Sequence, residues 1–507
     1  MKRPHLSGAG FPLWSALAGA LLLGACGSST ATDGASAAAA QQTLASSSGV
    51  ALHRDGAFMV DADNRVVLLH GVNAVWKLTP YYPPDTAAGF TAADAAFLAA
   101  NGFNVVRLGV LFAGVMPQRG VIDPGYLNQI DRTVQLLAAQ HIWVLLDFHQ
   151  DQYNEKFQGE GFPDWAVPSQ ILPNDAHYGF PLDEFLSLAL NGVYDQLWTN
   201  SNGIWAQYQA AWAAAAARWQ NQPFLLGYDL VNEPWPGTLW ATCFEIDCPV
   251  FDAILQKFQQ QALAGVRSAD TTHFAFFEPQ QLFDFGAPSR FGKIDDAAVG
   301  LSWHSYCSAE LLASTGLPDL PDCPILEPRT ANNAATQITA MGATSLLTEF
   351  GASDDLSDIG RVTQLADQHL VGWTYWAYKT FNDPTGGGQA ESLFSNDADL
   401  TTLKAPKADL LIRPYAQAIA GTPQAMSFDT TSKVFALSYV PRTSTAPTEI
   451  FVPARQYPGG YQVSVVGGQV VSAAGATLLQ ITNNAGASQV QVQVSPAPSA
   501  AAAVAGR

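Results

Sequence analysis

Charge is what this chain has least of. Only 13% of its 507 residues are Asp, Glu, Lys or Arg, and 43 acidic residues outnumber 24 basic ones, for a formal net charge of −19. A surface so short of cations has nothing with which to gather phosphates. That argues against nucleic acid as a partner and against adsorption to anionic lipid. Cysteine is scarce as well, with five in all, no Cys-x2-Cys spacing and no accompanying histidine cluster, which argues against a metal site. No internal repeat is visible, and the apolar stretch Phe11 to Ala25 is too short to cross a bilayer comfortably. What the chain does have is core material, at 48% hydrophobic residues, and aromatic side chains at 11% with 13 Trp. Most of the Trp belong in a core, but an aromatic-rich, cation-poor protein is suited to neutral ligands such as sugars. Its length exceeds one small domain and fits a large α/β barrel with an appendage.

The first 25 residues read as an export signal: Lys2 and Arg3, an apolar core, then Leu23-Gly24-Ala25-Cys26. The last four resemble a bacterial lipobox, in which the cysteine is acylated and becomes the new N-terminus. Cleavage before Cys26 would leave 22 basic against 43 acidic residues, a charge of −21. Residues 26–48 are rich in Ser, Ala, Thr and Gly and read as a flexible tether. The protein is therefore expected to be exported and held at the cell envelope or surface through a lipid on Cys26, partly shed, and monomeric. An even set of cysteines remains in an oxidising compartment: Cys243, Cys248, Cys307 and Cys323. Three pairings are open, and proximity in sequence favours Cys243–Cys248 with Cys307–Cys323.

Residues 49–411 alternate apolar strand-like runs with helical patterns. The expected strands are Val66 to Val72, Asn104 to Val110, Ile142 to Phe148, Leu225 to Val231, Thr272 to Phe277, Val299 to Trp303, Ser345 to Thr348 and Leu370 to Trp376. Near-continuous apolar strands separated by helices mean a parallel sheet covered outside, and eight of them predict a closed (β/α)8 barrel. Residues 412–496 change to short Val- and aromatic-containing runs between Gly, Pro and Asn, the pattern of a small antiparallel β-sandwich that packs on the barrel. Residues 497–507 read as a disordered tail.

Two glutamates end apolar strands: Glu233 in Leu230-Val231-Asn232-Glu233-Pro234, and Glu349 in Leu347-Thr348-Glu349-Phe350-Gly351. A carboxylate held at a strand tip faces whatever lies beyond the barrel, and two of them flanking one bond are the equipment for glycoside cleavage. Other polar residues end strands in the same order along the chain: Arg107, His149-Gln150-Asp151, Glu278 and His304-Ser305-Tyr306.

These motifs resemble glycoside hydrolase family 5, whose retaining barrel enzymes carry an Asn-Glu acid/base on strand four and a nucleophilic Glu on strand seven. The resemblance spans nearly the whole barrel, from Leu69-His70-Gly71-Val72-Asn73 to Gly372-Trp373-Thr374-Tyr375-Trp376. Asn73-Ala74-Val75-Trp76-Lys77, Asp147-Phe148-His149-Gln150-Asp151 and Thr348-Glu349-Phe350-Gly351 are more similar still to endoglycoceramidases, which separate a glycan from ceramide and also carry a C-terminal β-sandwich. The resemblance implies Glu233 as general acid, with a pKa raised by burial and by anionic Glu349, and Glu349 as nucleophile. It implies Asn232 on the sugar 2-hydroxyl, Tyr306 holding Glu349 with His304 close by, and Arg107 supporting the nucleophile's charge. Lys77, His149 and Asp151 would hold the first sugar, with Trp376 stacked beneath it, and no cofactor is required. Glu278 stands between an active-site and a supporting role.

The segment from Gln152 to Asn200 is longer than a barrel loop needs. It carries Phe157, Phe162, Trp165, Phe180, Phe185, Leu186, Leu188, Tyr194 and Trp198, and a helical Asp183 to Leu197 stretch. A surplus of these facing the cleft would make an apolar groove for a lipid aglycone. The substrate is thus expected to be a glycolipid or oligosaccharide. The alternatives are a β-glucan or a simpler glycolipid such as a steryl glucoside, with a non-catalytic glycan-binding barrel the remotest.

Overall fold

The computed structural model describes residues 52–498 except residue 175, residues 244–246 and residues 308–322. The export signal, Cys26, the tether and all but two residues of the tail lie outside the described residues.

Eight parallel strands close into a barrel: β1 His70–Ala74, β2 Val105–Val110, β3 Trp143–Phe148, β4 Leu225–Asp229, β5 Phe274–Phe277, β6 Val299–Ser305, β7 Thr344–Phe350 and β8 Gly372–Tyr375. Neighbours pair in sequence order and β8 returns to β1. Every residue of all eight strands is buried, because helices cover the outside and side chains fill the interior. The helices begin where local chemistry starts them. Asp123 accepts from the backbone N–H of Gly125 and Tyr126 ahead of Pro124–Ala138, with Pro124 in the first turn, and Asp355 does the same for Leu356–His369. Gly227 in β4 is needed for close approach: a Cβ there would lie 2.0 Å from the Phe274 carbonyl oxygen.

Two antiparallel sheets complete the protein. Gly421–Asp429, Val434–Pro441, Val490–Pro496 and Tyr461–Val466 form a four-stranded sheet. The other sheet has seven strands, and it differs from the sequence-based expectation. Besides Tyr415–Ile419, Thr448–Phe451, Leu478–Asn483 and Gly468–Val470, it takes in His53–Asp55, Phe58–Val60 and Val66–Val67 from the N-terminal side. The run Val66 to Val72, expected as one barrel strand, is therefore divided. Leu68 N–H donates to Gln417 of this sheet, whereas the His70 carbonyl accepts from Asn104 beside β2. Apolar continuity cannot show where a chain leaves one sheet for another. The outer sheets attach near the N-terminal ends of the barrel strands, where Tyr415 stacks on His70 at 3.7 Å and donates to the Gly102 carbonyl at 2.6 Å. That end is opposite the strand tips that carry the glutamates.

The insertion also departs from expectation. Its helix is broken at Ser187 into Leu182–Leu186 and Leu188–Trp198, with Ser187 capping the second through Leu190 N–H. Phe157, Phe162, Leu190, Tyr194, Leu197 and Trp198 pack into the main core. Cys243–Cys248 and Cys307–Cys323 are the disulfide pairs.

Candidate active site

Arg107, from the middle of β2, organises the floor of the site. It is fully buried and faces four carboxylates: Glu349 at 2.5 Å, Asp229 at 2.9 Å, Asp147 at 3.1 Å and Glu278 at 3.6 Å. One guanidinium cannot neutralise four anions in a dry interior, so the surplus is met by protonation. Burial drives Asp229 up to about 7 and Glu278 well above the usual carboxylate range. Arg107 also donates to Asn73 at 3.2 Å and Asn232 at 2.8 Å, which ties β1, β2 and β4 together beneath Glu349.

Glu349 is delivered by an irregularity. The β6–β7 register shifts between Leu347 and Glu349, which sets Glu349 opposite His304. Tyr306 donates its hydroxyl to Glu349 Oε2 at 2.7 Å, while Arg107 holds Oε1. Burial raises the Glu349 pKa and Arg107 works against that rise. Both donors bind the ionised form, as a nucleophile requires.

Glu233 follows β4 with φ of +39°, a sparsely populated region for a residue with a side chain. Neighbouring side chains fix it there. Its N–H donates to Glu278 Oε1 at 2.7 Å, and Gln150 Nε2 donates to the carbonyls of Asn232 and Glu233 at 2.9 and 3.0 Å. Burial, then the nearby Asp151 charge, pushes Glu233 up to about 7. Burial and Glu349 were the expected causes; burial acts as expected, Asp151 adds to it, and the repulsion between the two glutamates raises Glu349. Burial also lowers His304 to about 4, so it is neutral. Its Nδ1 lies 2.8 Å from Glu233 Oε1, and Gln281 Nε2 donates to Oε2 at 3.1 Å. One oxygen of Glu233 and one of Glu349 lie within 4.8 Å of each other. That is the close spacing of a retaining pair, since an inverting pair stands about 6.5–9.5 Å apart to admit a water.

The third group gathers around Lys77. Its ammonium touches Asp151 at 2.5 Å, Asp383 at 2.8 Å and Thr385 Oγ1 at 2.7 Å, and lies 4.6 Å from the Trp376 ring centre. His149 stacks near Trp376 at 5.2 Å and bonds Asp147 through Nδ1 at 2.7 Å. Burial disfavours a charged imidazole, but Asp147 outweighs it and His149 is pushed up to about 10. Two sets of residues bring one ligating atom each within 4.8 Å, His149 with Asp151 and Glu160, and Glu233 with His304 and Glu349. In each a resident cation, Lys77 or Arg107, already supplies the positive charge a metal would bring.

Lys77, His149, Asp151, Glu233, Tyr306, Glu349 and Trp376 share the wall of one cavity. Asn232 and His304 do not. Both are fully buried just behind the cavity wall, Asn232 Nδ2 donating to Gln150 O at 3.0 Å and Asp151 Oδ1 at 3.3 Å. Glu278 is a supporting residue beneath Glu233. The cavity also contains residues not singled out from sequence: Gln281, Asp284 and Phe285 after β5, and Asp383, Thr385, Gly386 and Gly387 after β8. The Asn-Asp-Pro-Thr-Gly-Gly-Gly run was a signal for the latter. Asp147 and Asp229, acids inside apolar strands, were a signal for the floor. Of the insertion's apolar residues, Phe180 and Pro181 reach the cavity wall.

A family model described as cellulase (glycosyl hydrolase family 5) matches residues 60–382, and one for the glycoside hydrolase family 5 C-terminal domain matches residues 413–495. The chain belongs to glycoside hydrolase family 5. Endoglycoceramidase I of Rhodococcus hoagii (strain 103S) is 35% identical to this family 5 enzyme over 439 residues, which is 85% of each chain. The solved lactosyl-enzyme intermediate of endo-glycoceramidase II from Rhodococcus sp. matches with a TM-score of 0.72 at 27% identity, covering 87% of this enzyme and 100% of that chain. Its ganglioside GM3 complex matches with a TM-score of 0.72 at 26% identity, covering 88% and 100%. The C-terminal match begins at 413, but the sheet it belongs to borrows three strands from residues 53–67.

Proposed function

We propose that this enzyme hydrolyses the β-glycosidic bond between a glycan and ceramide, with retention, through a covalent glycosyl-enzyme. The observation that carries the proposal is the pair Glu233 and Glu349, whose carboxylate oxygens approach within 4.8 Å in a cavity that is polar around Lys77 and apolar at Phe180, Pro181 and Phe285. Glu349 attacks the anomeric carbon while Glu233 protonates the glycosidic oxygen, and the lipid alcohol leaves. Glu233, now a carboxylate, takes a proton from water, which hydrolyses the glycosyl ester and frees Glu349. Lys77, Asp151, His149 and Trp376 hold the sugar at the cleavage point. Asn232 reaches its 2-hydroxyl once the 3.3 Å bond to Asp151 gives way. The similar chains support the lipid aglycone: one is an endoglycoceramidase by name, and another was solved with a ganglioside.

The enzyme acts as a monomer anchored to the outside of the cell by an acyl chain on Cys26. A tether of roughly twenty residues reaches about 25 Å as a flexible coil, enough to keep the barrel near membrane-borne substrate. Replacing Cys26 by Ser should release the enzyme into the medium, and retention of that variant at the envelope would refute the anchor. The deciding assay sets a ceramide-linked glycan against the same glycan on a short soluble aglycone and against cello-oligosaccharides. Faster cleavage of cello-oligosaccharides than of any ceramide glycoside would overturn the lipid assignment.

A further inference from the structure

Gln150 is a buried amide just beyond β3 that the reaction above leaves unused. Its Nε2 donates to the carbonyls of Asn232 and Glu233 at 2.9 and 3.0 Å, and its Oε1 accepts from the Tyr153 N–H at 3.1 Å and from the Tyr194 hydroxyl at 2.8 Å. Carbonyls cannot donate and a backbone N–H cannot accept, so the flipped amide is excluded and the Tyr194 hydroxyl must be a donor. Both N–H groups and both lone pairs of the amide are thereby used. Glu233 needs such a grip. Its φ of +39° is a conformation that persists only where the surroundings hold it. Glu278 takes its N–H at 2.7 Å on one side of the Cα and Gln150 takes its carbonyl on the other, so the atom that bears the acid side chain is fixed from both sides.

Tyr194 belongs to the insertion, in the helix Leu188–Trp198, and it does not act alone. Asn191 Oδ1 accepts from Trp235 Nε1 at 2.9 Å, and Trp198 Nε1 donates to the Trp235 carbonyl at 2.8 Å. Asp195 accepts from the N–H and the hydroxyl of Thr238, both at 2.9 Å. Asn191, Tyr194, Asp195 and Trp198 are spaced i, i+3, i+4 and i+7, which is one stripe of a helix. A helix stripe turned to the interior is ordinarily apolar. Here each of its residues makes a side-chain hydrogen bond, three of them to the loop that carries Glu233 and the fourth, through Gln150, to Glu233 itself. The same insertion sends Phe180 and Pro181 to the cavity wall.

We propose that Gln150, braced by Tyr194, is a positioning residue for Glu233, so that the insertion which walls the cavity also holds the general acid in aim. The proposal rests on Glu233 being the general acid and not on the identity of the lipid. It makes one structural element serve both aglycone binding and protonation of the departing alcohol.

The test compares wild type with Gln150→Met, Tyr194→Phe, their double variant and Glu233→Ala on two substrates that carry one glycan: an alkyl glycoside, whose leaving group needs protonation, and a dinitrophenyl glycoside, whose leaving group does not. The quantity read is kcat/KM, which reports the step in which Glu233 is the acid. Gln150→Met keeps the bulk but cannot bond either carbonyl, and should lose about tenfold to a hundredfold on the alkyl glycoside and less than about threefold on the dinitrophenyl glycoside. Tyr194→Phe deletes one bond of the four and should lose about threefold to tenfold on the alkyl glycoside alone. The double variant should be no worse than Gln150→Met, because Tyr194 acts through Gln150. With the dinitrophenyl glycoside kcat of Gln150→Met should fall, since Glu233 is also the base that activates water, and azide, a nucleophile that needs no base, should restore it. Equal losses on both substrates, undiminished alkyl turnover, or no rescue by azide would overturn the proposal, and an unchanged ratio in Tyr194→Phe would remove the insertion from it. Should Gln150→Met not fold, Tyr194→Phe is judged by the same ratio. If Glu233→Ala shows the difference between leaving groups and Gln150→Met does not, the positioning role alone falls. If Glu233→Ala loses equally on both substrates, Glu233 is not the acid and the proposed function fails with it.

Discussion

Replacing Glu233 by Gln should change the pH dependence of stability as well as abolish the acid. The folded protein holds the Glu233 carboxyl at about 7, against 4.5 for the exposed group. Because the folded-state pKa is raised, the protonated form is favoured by folding. That contribution is fully present below about pH 4.5 and is lost as pH rises through about 7, where the buried carboxylate must be ionised. A gap of two to three pH units corresponds to about 3 kcal/mol. Gln has the same shape, keeps an oxygen for His304 or Gln281, and cannot ionise. Urea unfolding of wild type and variant between pH 4 and 8.5 should therefore give stabilities that converge in acid and separate toward alkali, with the variant the more stable by about 3 kcal/mol above pH 7.5. Asp229 and Glu278 titrate in both proteins and largely cancel in the difference. Two parallel curves, or a wild type that gains on the variant as pH rises, would refute the account of Glu233 as a carboxyl kept protonated by burial. In wild type, kcat on a glycoside with an alkyl leaving group should fall about tenfold per pH unit above the same midpoint.

Replacing Glu349 by Gln should abolish turnover while the thermal unfolding curve stays near that of wild type, and appreciable hydrolysis by that variant would remove Glu349 as nucleophile. Tyr306→Phe deletes one charge-assisted hydrogen bond to Glu349, so kcat should fall about tenfold to a hundredfold on both alkyl and aryl glycosides, which steady-state kinetics would show. Arg107→Met leaves four buried acids without their cation and should destabilise the barrel by about 3–5 kcal/mol at neutral pH, with partial recovery in acid as those groups protonate. Its urea midpoint measured at pH 5 and pH 8 checks this, and an equal deficit at both would be contrary. Lys77→Met releases Asp383 and Thr385 from the sugar pocket and should raise KM more than it lowers kcat, whereas a pure kcat loss would place Lys77 outside substrate binding.

The eight barrel strands and both strand-tip glutamates could be read along the chain because each is a local signal. A run such as Trp143–Phe148, apolar but for Asp147 and set between helical patterns, has few other folds open to it. Glu233 and Glu349 are polar ends of such runs, so their place at the C-terminal rim follows from the strands themselves. The disulfide partners were legible for a related reason, since short sequence separation keeps the cysteines near each other. What the sequence left open depends on which distant segments meet. Val66–Val67 pairs with Ile419 and Ala418 about 350 residues away, and no local pattern distinguishes that from a barrel strand. Lys77 was visible, but its partners Asp383 and Thr385 come from the other end of the barrel, brought near by closure of β8 on β1. His304 and Asn232 looked like substrate contacts because they stand beside Tyr306 and Glu233. Packing sets both behind the cavity wall, with His304 against Glu233 and the Asn232 side chain between Arg107 and Asp151. Electrostatics divides in the same way. The sequence determined that acids outnumber cations, but only the tertiary structure decided which of them crowd around Arg107. That crowding, in an interior where charge is poorly solvated, decides which carboxyls keep their protons.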